Sequence, residues 1–220
     1  MIRKLKIGVM ISGRGSNLQA LIDACLAPDF PAEIALVFSN KSDAYGLKRA
    51  EEAGIDTLSF SVKDFASKEE YEQQIDRAMR DQGVELICLA GYMRILGDTF
   101  VDGWKDKMIN IHPSLLPAYK GLHTHKRALD EGCRFTGCTV HFVVPALDSG
   151  PIILQAAVPI GPHDTTESLA DKVLPYEHKL YPAAVRLFAE GKISLTAFGK
   201  VIIKGQTEPD SGLFNPVITP

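Results

Sequence analysis

Short aliphatic and β-branched runs at 7–11, 34–38, 57–60 and 86–90 alternate with stretches at 17–27, 44–53 and 68–82 whose apolar residues recur at helical spacing. Each helical stretch has a proline or glycine close to its end. Strands separated by helices in this way cannot pair through tight hairpins, so the order implies a parallel sheet covered on both faces. The expected class is α/β, a Rossmann-like, mostly parallel twisted sheet with helices on both faces and ligands at the carboxyl ends of its strands.

After residue 138 the pattern changes to two extended runs, 139–144 and 151–159, around the turn Asp148-Ser149-Gly150-Pro151, which should extend the sheet. A helical stretch over 166–190 closes the fold, with Pro175 and Pro182 expected to break or kink it. The Gly- and Pro-rich tail after Gly191 is expected to be peripheral. With 220 residues, 45% hydrophobic and 23% charged, and no repeat, low-complexity run or linker, the chain suits one domain over 1–220.

A net charge of -3 argues against non-specific nucleic-acid binding, which needs a basic surface to displace counterions. A small anionic ligand needs only a local positive spot. The apolar run after Met1-Ile2-Arg3-Lys4-Leu5-Lys6 is too short for a signal-peptide core, and no later stretch is long enough to span a bilayer. The expectation is a cytoplasmic protein with neither nucleic acid nor membrane as partner, either a monomer or a homodimer. Cys25, Cys88, Cys133 and Cys138 make no paired framework and read as buried reduced thiols.

Three groups of residues carry chemistry. The first is Ser12-Gly13-Arg14-Gly15-Ser16-Asn17-Leu18, between the first strand and the first helix. Its glycines let the backbone turn sharply, and the free N–H groups of the helix start attract an anion. Leu18 stands where a dinucleotide loop carries its third glycine, and Ser39-Asn40-Lys41 offers no acid for a ribose diol. Lys41 could still meet a ribose 2′-phosphate, so NADP is disfavoured rather than excluded, and a monophosphate ester is the better ligand. The plain alternative is a tight turn with Ser16 or Asn17 as helix cap.

The second group is Asn110-Ile111-His112-Pro113-Ser114-Leu115-Leu116-Pro117. Asn110 and His112 lie two apart at a strand end and project from one face, while Pro113 and Pro117 stop the strand from pairing further. The third is the turn at Asp148. If the two strand ends are neighbours, Asp148 can orient His112 and support its charge, and Asn110 can donate to the same oxyanion. Taken singly, each also has a structural reading as strand-end cap, loop histidine or turn residue. Ser114 follows His112 too closely for a triad, and His123 and His125 lack the further ligands of a zinc site, so no metal is expected. His141 reads equally as a core histidine or a site wall.

Together with Ser39-Asn40-Lys41, Leu89-Ala90-Gly91-Tyr92-Met93-Arg94-Ile95-Leu96, Gly121-Leu122-His123-Thr124-His125 and Val140-His141-Phe142-Val143, these motifs closely resemble the phosphoribosylglycinamide formyltransferases, folate-dependent enzymes of purine synthesis. The resemblance runs to about Gly191 and implies the formyltransferase fold, a phosphoribosylglycinamide substrate and 10-formyltetrahydrofolate as co-substrate. It maps the substrate phosphate to Gly15, Ser16 and Asn17, and the catalytic trio to Asn110, His112 and Asp148. Glu177 falls to the substrate amine or ribose. The folate falls to Met93, Arg94, Ile95 and Leu96, to Val144, Pro145, Ala146 and Leu147, and to Lys68, which stands in place of an arginine near the folate tail. Arg14, and Leu174-Pro175-Tyr176 before Glu177, depart from the family pattern. Formylation of methionyl-tRNA would call for an RNA-binding extension and a basic surface. Formylfolate hydrolysis would leave the glycine loop without its ligand. A ligand sensor that keeps the fold would bind without turnover.

Overall fold

The structure is a computed structural model that describes residues 3–207, 213, 215 and 216. The tail beyond 207, apart from those three positions, and Met1 and Ile2 of the N-terminal reading lie outside the described residues.

The elements run β1 (Leu5–Ile11), α1 (Ser16–Cys25), β2 (Ala32–Ser39), α2 (Tyr45–Glu52), β3 (Thr57–Ser59), α3 (Lys68–Asp81), β4 (Leu86–Leu89), α4 (Asp98–Gly103) and β5 (Met108–His112). They continue with α5 (Thr124–Asp130), β6 (Phe135–Phe142), β7 (Ile152–Pro159), α6 (Thr166–Ala189) and a small hairpin, β8 (Ile193–Leu195) and β9 (Val201–Ile203). Seven strands form one sheet in the order β3-β2-β1-β4-β5-β6-β7. The first five are mutually parallel, and β6 and β7 add antiparallel beyond β5.

Alternate residues of the central strands feed two cores. Ile7, Val9 and Ile11 of β1, with Cys88 of β4 and Ile109 of β5, pack beneath α1, α2 and α6. Met10, Ile87 and Met108 face the opposite way, toward Tyr71, Ile75 and Met79 of α3 and Phe100 of α4. Burial on both faces explains why these strands read as apolar runs rather than as alternating ones.

Two expectations are corrected. Helix α6 runs unbroken through Pro175 and Pro182. Each proline removes only one N–H donor, Pro175 lies on the exposed face, and Leu169, Val173, Tyr181, Ala184 and Val185 are buried along the inner face. Tyr181 also donates its hydroxyl to the carbonyls of Leu89 and Ile109, at 2.9 and 3.1 Å, which ties α6 to two central strands. Among the cysteines only Cys88 and Cys138 are buried, whereas Cys25 and Cys133 are partly exposed. In the described part of the tail, β8 and β9 pair as a small partly exposed hairpin, with Ile193, Leu195 and Val201 against the first core.

Candidate active site

Sheet register sets the site. Met10 of β1 lies beside Leu89 of β4, Leu89 beside Asn110 of β5, and Asn110 beside His141 of β6. The parallel strands therefore all end near this line, and the chain leaving each one contributes to the same rim.

A cleft of about 760 Å³ opens there. It is walled by Tyr92, Met93, Arg94, Ile95 and Leu96 on the segment leaving β4, and by Val144, Pro145, Leu147 and Asp148 on the segment leaving β6. Asn110, His112 and His141 also line it, as does the segment from Gly121 to Lys126. Met93, Ile95, Leu122 and Leu147 hold large apolar side chains exposed at this cleft, an arrangement suited to a flat, partly apolar ligand.

His112 is buried and engaged at both ring nitrogens. Nε2 donates to the Tyr119 carbonyl at 2.9 Å, and Nδ1 lies 3.5 Å from Asp148 Oδ2. The first contact is a hydrogen bond of ordinary length. The second is a longer charge contact; because Nε2 is the donor to Tyr119, Nδ1 carries a proton only when the ring is an imidazolium, and in that form it can donate to Asp148 or to a ligand in the cleft. Asp148 Oδ2 also accepts the Gly121 N–H at 2.8 Å, while Oδ1 stands 3.7 Å from His141 Nε2.

Asn110 has an orienting partner in His141. The His141 Nδ1–H donates to the Phe142 carbonyl at 2.8 Å, leaving Nε2 to accept from Asn110 Nδ2 at 3.2 Å. Burial holds the His141 imidazole below its ordinary pKa, opposed in part by the Phe142 carbonyl and Asp148, so the neutral ring that this arrangement needs is favoured. The second N–H of the Asn110 amide is left for a ligand. Burial likewise depresses His125, whose Nδ1 is buried with no partner among the described residues.

Backbone conformation reflects the same crowding. Tyr119, His123 and Asp148 adopt left-handed φ values of 56, 58 and 45° without being glycine, and all three adjoin the cleft or the His112 ring. Ser114 is tied off, donating its hydroxyl to the Ala118 carbonyl at 2.7 Å, which removes it as a nucleophile.

The glycine loop makes a second centre. Gly15, at φ 69°, precedes α1 and packs against Gly46, so a Cβ there would collide with the Gly46 backbone. Neither Ser16 nor Asn17 is the helix cap: Gly15 holds that position with no side-chain bond. The first intrahelical bond is from Gln19 N–H to the Gly15 carbonyl, so the N–H groups before it are unspent and suited to an anion. Asn17 donates through Nδ2 to Glu177 Oε2 on α6 at 2.7 Å. Burial raises the Glu177 carboxyl above its ordinary range, opposed in part by that bond. One strand, β4, separates β1 from β5, which places the loop's strand about 10 Å from that of Asn110 at the usual inter-strand spacing.

Two expected folate residues do not line the cleft. Ala146 is exposed beside it, and Lys68 sits at the start of α3 with its Nζ 3.6 Å from Glu72 Oε1. That same Glu72 oxygen accepts the Gly97 N–H at 2.8 Å, so Lys68 stands one ion pair behind the wall. The sequence marks no role for the Tyr119 carbonyl or Glu72, and names Ser12 only as the start of the glycine loop. Among the described residues no group of three or more His, Cys, Asp or Glu is placed to hold a metal ion, and no helix is long and apolar enough to cross a membrane.

Residues 5–185 match the family described as formyl transferase. The phosphoribosylglycinamide formyltransferase of Haemophilus influenzae is 45% identical over 210 residues, covering 96% of this chain and 99% of that protein. The trifunctional purine biosynthetic protein adenosine-3 of Gallus gallus is 48% identical over 201 residues, but the chain spans only 20% of its length. Among solved structures, glycinamide ribonucleotide transformylase 1 from Symbiobacterium toebii superposes with a TM-score of 0.89 at 44% identity, covering 91% of this chain and 94% of that one.

Proposed function

The chain belongs to the formyl transferase family, and from that premise we propose that it transfers the formyl group of 10-formyltetrahydrofolate to the primary amine of 5′-phosphoribosylglycinamide, acting as one formyltransferase domain. The observation that carries this reading is the pairing of an apolar cleft, floored by Asn110, His112 and Asp148, with an anion-suited glycine loop at the end of a strand two places away in the sheet. A phosphorylated amine and a flat formyl donor would each find a seat on either side of one reacting centre.

In this reading the phosphate takes the N–H groups of Gly15, Ser16 and Asn17, and Glu177 receives the ribose or the amine. The donor's ring system lies against Met93, Arg94, Ile95 and Leu96 and against Val144, Pro145, Ala146 and Leu147. Lys68 serves the anionic tail from the edge of the wall, where its exposed ammonium is free on the side away from Glu72.

The amine nitrogen attacks the formyl carbon, the new N–C bond forms, and the bond from that carbon to the folate nitrogen breaks. Between these events the carbonyl oxygen carries negative charge. The free N–H of Asn110 and the Nδ1–H of protonated His112 are the donors to it, with the Asp148 carboxylate as counter-charge. A proton leaves the attacking nitrogen and ends on the departing folate nitrogen, carried by His112 or by a water ordered by Asp148. Holding both reactants in one cleft supplies much of the remaining acceleration, and transfer in this form requires no metal ion and no covalent intermediate.

The test is spectrophotometric. Purified protein should deformylate 10-formyltetrahydrofolate or 10-formyldideazafolate only when phosphoribosylglycinamide is present. Deformylation without the amine would make the chain a hydrolase, and ligand binding without any turnover would make it a sensor.

A further inference from the structure

Ser12 stands where the two centres meet. It is the first residue beyond β1, and its side chain is buried. The hydroxyl donates its one proton to Asn40 Oδ1 and accepts the Met93 backbone N–H at 2.8 Å. Asn40 is the first residue beyond β2, and Met93 lies on the segment leaving β4. Because β2, β1 and β4 are neighbours in the sheet, one hydroxyl ties together the outgoing chains of three adjacent strands.

Those chains belong to different parts of the site. The chain after Ser12 turns into the glycine loop, and the chain through Met93 is a wall of the cleft. Among the described residues that wall has two other side-chain hydrogen bonds, the Tyr92 hydroxyl to the Tyr71 hydroxyl at 2.8 Å and the Gly97 N–H to Glu72 at 2.8 Å. Both run to α3, on the far side from the loop. Gly91, at φ 77°, turns the chain at the root of the wall in the left-handed region that favours glycine. Of these three hydrogen bonds, the one to Ser12 reaches the glycine loop.

We propose that Ser12 is a positioning residue that couples the two substrate sites through the Met93 N–H. The proposal rests on the reading of the two sites given above. An anion seated on the loop orders Ser12, Ser12 orders Met93, and the cleft is left with less freedom to lose when the second ligand arrives. The effect is reciprocal, since each ligand must tighten the other by the same factor. Ser12 touches no reacting atom in this scheme.

Calorimetric titration of the full chain tests this. Phosphoribosylglycinamide is titrated alone and with saturating dideazafolate that lacks the formyl group, and the order is then reversed. The wild-type protein should show mutual tightening of about fivefold or more. Ser12→Ala should bring that factor close to one while each single-ligand affinity changes far less, and Ser12→Thr, which keeps the hydroxyl, should retain it. Asn40→Ala leaves Ser12 in place but frees its hydroxyl, and should lower the factor in the same direction. Steady-state kinetics should show both KM values rising in Ser12→Ala with kcat at saturation nearly unchanged. An undiminished factor in Ser12→Ala or Asn40→Ala, or no tightening in the wild type, overturns the proposal. Failure of the wild type to bind either ligand alone would instead overturn the reading of the sites.

Discussion

His112 Nδ1 lies 3.5 Å from Asp148 Oδ2, and that oxygen simultaneously accepts the Gly121 N–H at 2.8 Å. The carboxylate therefore does two things with one atom. It faces the imidazole with a full negative charge, and it pins the loop that carries the other wall of the cleft.

Asp148→Asn separates these tasks. An asparagine oxygen can still accept from Gly121, but it no longer offers a charge to His112. The expected outcome is a fall in kcat on the order of a hundredfold with both KM values within a few-fold of wild type. A kcat within threefold, in a variant whose circular dichroism matches the parent, would remove Asp148 from the chemistry.

His141 has a signature in stability. Its pKa is depressed chiefly by burial, so the folded chain resists a proton that the unfolded chain accepts below the ordinary value of 6.5. The contribution is fully present above pH 6.5 and is lost as pH falls toward the folded value. His141→Gln, which cannot titrate, should gain stability relative to wild type as melting is followed from pH 7 down to pH 5. Melting curves that stay parallel would mean the ring is not held neutral.

Glu177 has the opposite sign. Burial raises its pKa above the ordinary 4.5, so its contribution is present below that pH and is lost as pH rises through the folded value. Glu177→Gln keeps an oxygen for Asn17 Nδ2 and cannot ionise. Its melting temperature should gain on wild type as pH rises from 4.5, and a constant gap between the two would contradict the burial argument.

Much of this site is legible from spacing alone. Asn110 and His112 are two apart on a strand, so they had to share a face, and the prolines that follow had to end the ladder. Asp148 joins them only because β5 and β6 are paired, an adjacency that the order of elements suggests without requiring. The Tyr119 carbonyl carries no side-chain signature, so nothing in the sequence marks it as the partner of His112. His141 alternates with Val140 and Phe142 in the same way whether it faces a core or a cleft.

The parts of the fold that escaped the sequence did so for local reasons. Helix α5 has seven residues and is preceded at its cap position by His123 in a left-handed conformation, in place of the Ser, Thr or Asp that usually marks a helix start. Strands β8 and β9 have three residues each, too few to display a period. The prolines of α6 mislead because their local cost is outweighed by packing along its inner face. Gly150 reads as a turn glycine, yet its real constraint is spatial, since a Cβ there would overlap the Phe142 carbonyl.

The central claim is that the imidazole of His112 acts on the formyl centre. The most direct measurement is single-turnover formyl transfer to phosphoribosylglycinamide by His112→Ala, with both substrates saturating and folding verified. Wild type should deformylate the donor only in the presence of the amine, and the variant should be slower by roughly a hundredfold or more while binding both substrates. Transfer by a folded His112→Ala at near the wild-type rate would contradict the account.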